Sequence, residues 1–196
     1  MRIRRSALVL LAVPVLLSAC SGHGSHNMAE PAATVATATG VTANDGDLVF
    51  LHGMIGHHAQ AVEMSDLALT ASAGASVSVK DLATRIKAAQ QPEIDEMTKW
   101  LVGWGQPVDL ADHDGHDMAS MDGMMSDEDM KRLATLVGPE FDREWLSMMI
   151  EHHRGAVKQS QDVLASGSDA GVRELANRII AAQQPEIDEM QKLLGA

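Results

Sequence analysis

The sequence has no tyrosine, only two phenylalanines and three tryptophans, and a single cysteine in 196 residues. So little aromatic content argues against a β-sandwich or barrel, whose strands draw on aromatic and β-branched residues. One cysteine excludes an internal disulfide and leaves no thiolate for metal chemistry outside position 20. Basic residues are also scarce: 15 against 27 acidic ones, a net charge of −12. A nucleic-acid binder would carry a basic face, so nucleic acid is not an expected partner. What is abundant is Ala and Leu, with 13 methionines, residues that lose little entropy in helices.

The first 20 residues, MRIRRSALVLLAVPVLLSAC, read as a signal. Arg2, Arg4 and Arg5 precede a short apolar run from Ala7 to Leu17, too short to span a membrane. Leu17-Ser18-Ala19-Cys20 resembles a bacterial lipobox, which implies cleavage after residue 19 and a lipid on Cys20. A plain signal peptide is the alternative. Cleavage removes three arginines and no acid, taking the net charge from −12 to −15. Residues 20–43, rich in Gly, Ser, Ala, Thr and Pro, read as a flexible tether, in which His23 and His26 are incidental.

The remainder, 44–196, contains one unit written twice. AAQQPEIDEM occurs at 88–97 and again, letter for letter, at 181–190. Upstream, Leu51-His52-Gly53-Met54-Ile55-Gly56-His57-His58 is echoed by Leu146-Ser147-Met148-Met149-Ile150-Glu151-His152-His153. The expected organisation is repeat one at 44–104, a Met/His/Asp-rich connector at 105–138, and repeat two at 139–196. Apolar periodicity places helices at about 45–70, 78–103, 139–165 and 170–194. The expected N-caps are Asp45, Ser78 and Ser168, with Gly195 as a stop and Ser126 with Asp129 as the capping box of a short extra helix. The expectation is all-α, two helical hairpins packed as a four-helix bundle. Pro92 and Pro185 fall inside helices, where a proline removes a hydrogen bond and bends the axis.

Chemistry concentrates on the core-facing stripes. At about 100° per residue, Met54, His57, His58, Ala61 and Ser65 share one face, with Phe50 and Ala68 extending it and Met64 on its edge. Trp145, Met149, His152, His153, Ala156 and Ser160 repeat the pattern, with Gln159 standing where Met64 does. His52 and Glu63 project to the opposite face. The partner helices carry Leu82, Ile86, Gln90, Glu93, Met97 and Trp100, and Leu175, Ile179, Gln183, Glu186, Met190 and Leu193. Glu93 and Glu186 then point at the core, where a carboxylate needs a cation or strong donors.

Each hairpin thus brings Met, His, His and a further Met against Glu, either as ligand or as a group orienting the histidines. Imidazole and thioether together suit copper, with thioether favouring Cu(I) and imidazole accepting both oxidation states; zinc has little use for thioether. In the connector, His113, His116, Met118, Met121, Met124 and Met125, with Met130 beyond, form a polar Met/His/Asp tract suited to looser metal capture. Core histidines with methionine filler are the bland alternative.

These residues resemble the domain-of-unknown-function 305 family over about 44–194. The strongest match is Phe141 to Val157, containing Met149-Ile150-Glu151-His152-His153, and the Met-x-x-His-His pattern appears in both halves. The resemblance implies a ferritin-like bundle, an extracytoplasmic location and, for some members, copper binding linked to copper tolerance. It also implies Met54, His57, His58, Met149, His152 and His153 as site residues. Gln159 departs from the methionine usual there. The leading expectation is a lipid-anchored protein that sequesters or transfers copper, with a copper-handling protein as a further partner. A metal-free interaction module is the alternative. A di-iron or di-manganese oxidoreductase ranks lower, because Glu151 abuts His152 instead of lying three residues before a histidine. No nucleophile–base pair, phosphate loop or nucleotide fingerprint is present, so an enzyme is not expected.

Overall fold

A computed structural model describes residues 43–108 and 121–195. These residues are all-helical, without strands, in five elements: α1 (Asp45–Leu69), α2 (Val77–Gly103), α3 (Asp127–Leu133), α4 (Pro139–Ser166) and α5 (Ala170–Gly195). None is long and apolar enough to cross a membrane. The expected signal, tether and Cys20 lie outside the described residues, as do His113, His116 and Met118.

The helices begin on different caps from those expected. Asn44, not Asp45, caps α1 in a reciprocal box: Asp47 N–H donates to Asn44 Oδ1 at 3.1 Å and Asn44 N–H to Asp47 Oδ2 at 2.8 Å. Ser76, not Ser78, caps α2. At α5 it is Asp169, not Ser168, whose Oδ1 accepts from the N–H groups of Gly171 at 2.9 Å and Val172 at 3.2 Å. Each start offers several capping residues in a row, and only the backbone conformation selects among them. Ser126 and Asp129 form the expected capping box of α3. Gly195 is the last described residue of α5 and not a stop beyond it. Both α2 and α5 run through their prolines, whose rings face solvent, so water can reach the carbonyl left without a donor.

α1 packs on α2, α4 on α5, and the two hairpins meet through α1 and α4. These two run antiparallel: Asn44 Nδ2–H reaches the Ser166 carbonyl at 2.8 Å, and Trp145 Nε1–H the Met64 carbonyl at 2.9 Å. Asp47, fully buried, fastens the start of α1 to the α4–α5 turn. Its Oδ2 accepts from Ser168 N–H at 3.0 Å, Asp169 N–H at 3.1 Å and the Ser168 hydroxyl at 3.2 Å.

The interior consists of two apolar clusters, each fed by all four long helices. One holds Met64, Leu82, Ile86, Trp145, Met149, Ile187 and Met190. The other holds Phe50, Met54, Met97, Leu101, Ala156, Leu175 and Ile179. Along every long helix, the buried side chains between its two apolar stretches are polar.

Candidate metal centre

That interruption is a buried polar layer: His57 and His58 from α1, Gln90 and Glu93 from α2, His152 and His153 from α4, Gln183 and Glu186 from α5. All four histidines are fully buried. The duplicated sequence predicts one His-His pair per hairpin, facing its own partner helix. The structure instead brings the pairs together across the α1–α4 contact, with the His57 and His152 ring centroids 3.8 Å apart and their planes tilted by 42°. The remaining two histidines are anchored outward, each to its own hairpin. His58 Nε2–H donates to Glu93 Oε2 at 2.8 Å, and His153 Nε2–H to Glu186 Oε2 at 2.9 Å. The glutamates do not point into an apolar core, as expected, but sit at the rim with side chains 19% and 15% exposed. An ionised carboxylate only accepts, so this contact places a proton on Nε2 and leaves Nδ1 of each ring as the buried nitrogen without a partner.

Burial, with repulsion from His58 and then His153, lowers His57 from 6.5 to about 3. The Asp122 backbone lies close enough to oppose this, without a hydrogen bond of ordinary geometry. Burial, then His57, His153 and His58, likewise holds His152 well below its usual value. Both rings are therefore neutral at pH 7, the form that ligates metal.

Six of the buried ring nitrogens have no hydrogen-bond partner: both of His57, both of His152, and Nδ1 of His58 and His153. Gln90 Oε1 and Nε2 and Gln183 Oε1 are unpartnered beside them. A buried donor or acceptor left unpaired costs about 1–3 kcal/mol. Neutral His57 and His152 each keep one lone pair, and this concentration of buried, unpartnered nitrogens fits a cation. Among the described residues no three His, Cys, Asp or Glu side chains already surround one point.

The expected methionines divide differently from the repeats. Met54 and Met97 share one apolar cluster, as one hairpin should. Met64, of the same hairpin, instead joins Met149 and Met190 of the other on the far side of the histidines. The reason is the antiparallel crossing, which lays the later half of α1 along the earlier half of α4.

The connector tract is less loose than expected. Met130 is buried in α3 and Met125 packs on the core. Residues 121–125 lie as a strap along the α1–α4 groove. Gln60 grips Met125 at two points, Nε2–H to its carbonyl and Oε1 from its N–H, both 2.8 Å. Gln159 Nε2–H reaches the Asp122 carbonyl at 3.3 Å, and Lys158 pairs with the Asp122 carboxylate at 2.8 Å. Three glycines permit this approach. A Cβ on Gly155 would lie 2.0 Å from the Asp122 carbonyl oxygen, one on Gly53 2.4 Å from Met121 Cε, and one on Gly123 2.7 Å from the Glu151 carbonyl. His52 lies outside the layer, bonded to the Pro107 carbonyl at 2.8 Å, and Glu63 is exposed, both as expected.

The model of the family "Domain of unknown function (DUF305)" matches residues 47–194. A Streptomyces coelicolor protein described as a secreted DUF305 protein is 32% identical with a TM-score of 0.69, over 76% of this chain and 92% of that one. A DUF305 fragment from Deinococcus radiodurans is 31% identical at a TM-score of 0.69, over 79% of this chain and 99% of that one. CopM in its Cu(II)-bound form is 31% identical at 0.63, over 76% of this chain and 95% of that one. Similar structures also include CopM bound to Cu(I) and to silver. An uncharacterized protein of Acanthamoeba polyphaga mimivirus is 38% identical over 53 residues, 27% of this chain. The chain spans about a third (35%) of the length of that relative. The chain belongs to the DUF305 family.

Proposed function

We propose that this DUF305 protein binds copper outside the cytoplasm, sequestering it or handing it to a copper-handling partner. In this reading it is held to the cell-envelope membrane by a lipid on Cys20. The observation that carries the reading is the set of six unpartnered ring nitrogens on four buried histidines where the hairpins meet. Left metal-free, these atoms are a standing cost with no return in packing, which counts against a purely structural role. CopM, similar over most of both chains, has been solved with Cu(II), Cu(I) and silver bound. The similar Streptomyces protein is described as secreted.

His57 and His152 are the central donors, with Nδ1 of His58 and His153 left free by Glu93 and Glu186. Those glutamates orient and do not ligate. Met54 and Met97 at one side, and Met64, Met149 and Met190 at the other, supply thioethers, which favour Cu(I). Neutral, desolvated imidazoles and thioethers hold a low-coordinate soft ion better than a hard one, so zinc ranks below copper. In the connector, His113, His116, Met118 and Met124 serve as looser collectors, whereas Met125 has a packing role.

The test is an anaerobic Cu(I) competition titration of the untagged mature domain, beside a variant lacking His57, His58, His152 and His153. Tight binding by the first and at least 100-fold weaker binding by the helical variant supports the assignment. Equal binding moves the function to the connector, and no binding by either returns the histidines to the core.

A further inference from the structure

The two ends of the polar layer are not equivalent in thioether supply. On one side Met64, Met148, Met149 and Met190 are all buried in the same cluster. On the other, the repeat places Gly53 where Met148 stands and Gln159 where Met64 stands, leaving only Met54 and Met97. The space above Gly53 is nevertheless filled. Met121 of the strap sits there, its Cε 2.4 Å and its Sδ 3.5 Å from where a Cβ would be, with Gln159 Oε1 also at 3.5 Å. The connector thus returns a thioether to the half of the groove in which the repeat lacks one.

Met121 also borders a cavity of about 320 Å³ in the α1–α4 groove, whose lining includes Asp45, Phe50, Gln159, Asp162 and Val163. Its α1 lining runs from Asp45 to Phe50, and Met121, which also borders it, lies over Gly53. His57 is one turn further on, about 6 Å along the axis, and the Asp122 backbone lies beside it. Exposed Asp45 and Asp162 give the lining a negative character, and Met121 is the lining residue that lies over Gly53, one turn before His57.

Resting on the copper reading above, we propose that Met121 is the transfer ligand for a soft monovalent cation. It takes the ion from the cavity as a thioether adduct and passes it to His57 by ligand exchange, with no change in oxidation state. Asp122 and Gly123 fix the sulfur at this post by holding the strap in the groove. Met121 is then a fitted ligand of the uptake path and not one of several loose collectors.

The experiment uses the mature domain with ¹³C-methyl methionine and titrates Ag(I), a redox-silent probe, while stopped-flow follows Cu(I) uptake from a chelator complex. The expected result is that the Met121 methyl signal shifts with the first equivalent. Met121→Leu, nearly isosteric and helical by circular dichroism, should load Cu(I) at least tenfold more slowly to the same final occupancy. Met130→Leu, buried in α3 and outside the proposed ligand set, should load at the wild-type rate. An unmoved Met121 signal while the histidine ring signals respond, or wild-type uptake by Met121→Leu, overturns the proposal and leaves the copper reading intact. Failure of the wild-type histidines to respond overturns both. To separate position from chemistry, Gln60→Ala, which frees the strap at Met125, should slow uptake without removing any thioether; unchanged uptake there would refute the role of the strap.

Discussion

His57 and His152, one from each repeat, face each other with ring centroids 3.8 Å apart, both fully buried and both without a hydrogen-bond partner. Two neutral imidazoles in contact are tolerable; two imidazolium ions there would not be. This contact makes acid a threat to the metal-free protein.

The unfolded chain protonates His57 near 6.5, whereas the folded chain resists until about 3. Between those values the unfolded state binds more protons, so stability rises with pH and falls on acidification. By pH 5 His57 alone should cost about 2 kcal/mol relative to neutral pH. His152, also lowered by burial, acts in the same direction. Urea midpoints of metal-free wild type and His57→Leu at neutral and acidic pH check this. The variant should show a shallower decline, and parallel declines would sink the argument.

The strap makes a second prediction. Alanine is usually favoured over glycine in a helix by about 1 kcal/mol. At Gly155 the new Cβ would meet backbone, 2.0 Å from the Asp122 oxygen and 2.8 Å from Gly123 Cα, and no rotamer change relieves that. Gly155→Ala should cost about 1–3 kcal/mol and speed hydrogen exchange at the Met125 amide, which otherwise donates to Gln60. At Gly103 nothing lies within 4 Å of the added carbon, so Gly103→Ala serves as the neutral or stabilising control. Similar melting curves for the two variants would contradict the close seating of the strap.

Glu93 and Glu186 offer a third. Glutamine keeps the shape of each but presents a neutral amide to His58 or His153, which weakens the selection of one tautomer. Loss of such an outer partner typically lowers metal affinity 10–100-fold. Glu93→Gln with Glu186→Gln should show that loss in Cu(I) competition while helicity stays unchanged. Full affinity in the double variant would make the two contacts merely structural.

Much of this was legible in the chain. The helices, the Ser126–Asp129 box, the buried stripes and the repeat follow from local periodicity and composition. What was not legible is how the repeats face each other. His57 and His152 are separated by 95 positions, and no local period encodes their meeting. The same crossing carries Met64 to the other hairpin's Met149. Met125 and Met130 sit in a polar stretch that reads as solvated, yet Gln60 and the core hold them. Asp47 resembles an ordinary first-turn acid until the α4–α5 turn folds onto it. Glycines 53 and 155 announce a close approach, but sequence alone does not say by what.

The contact between His57 and His152 also decides how the two hairpins share metal. Independent sites, one per hairpin, would lose half their copper when His57 and His58 are replaced, and the remaining half would keep its affinity. Here the rings that remain, His152 and His153, lose the imidazole that stands against them. His153 stays fastened to Glu186, while His152 is left facing the vacated space. The expected outcome for His57→Ala with His58→Ala is therefore loss of more than half of the bound Cu(I), together with at least tenfold weaker binding of what remains. The same should hold for the mirror pair His152→Ala and His153→Ala. Stoichiometry and competition titrations on both variants, with circular dichroism to confirm folding, measure it. If either variant retains half the metal at wild-type affinity, each hairpin is a site in its own right, and the meeting of the rings is packing alone.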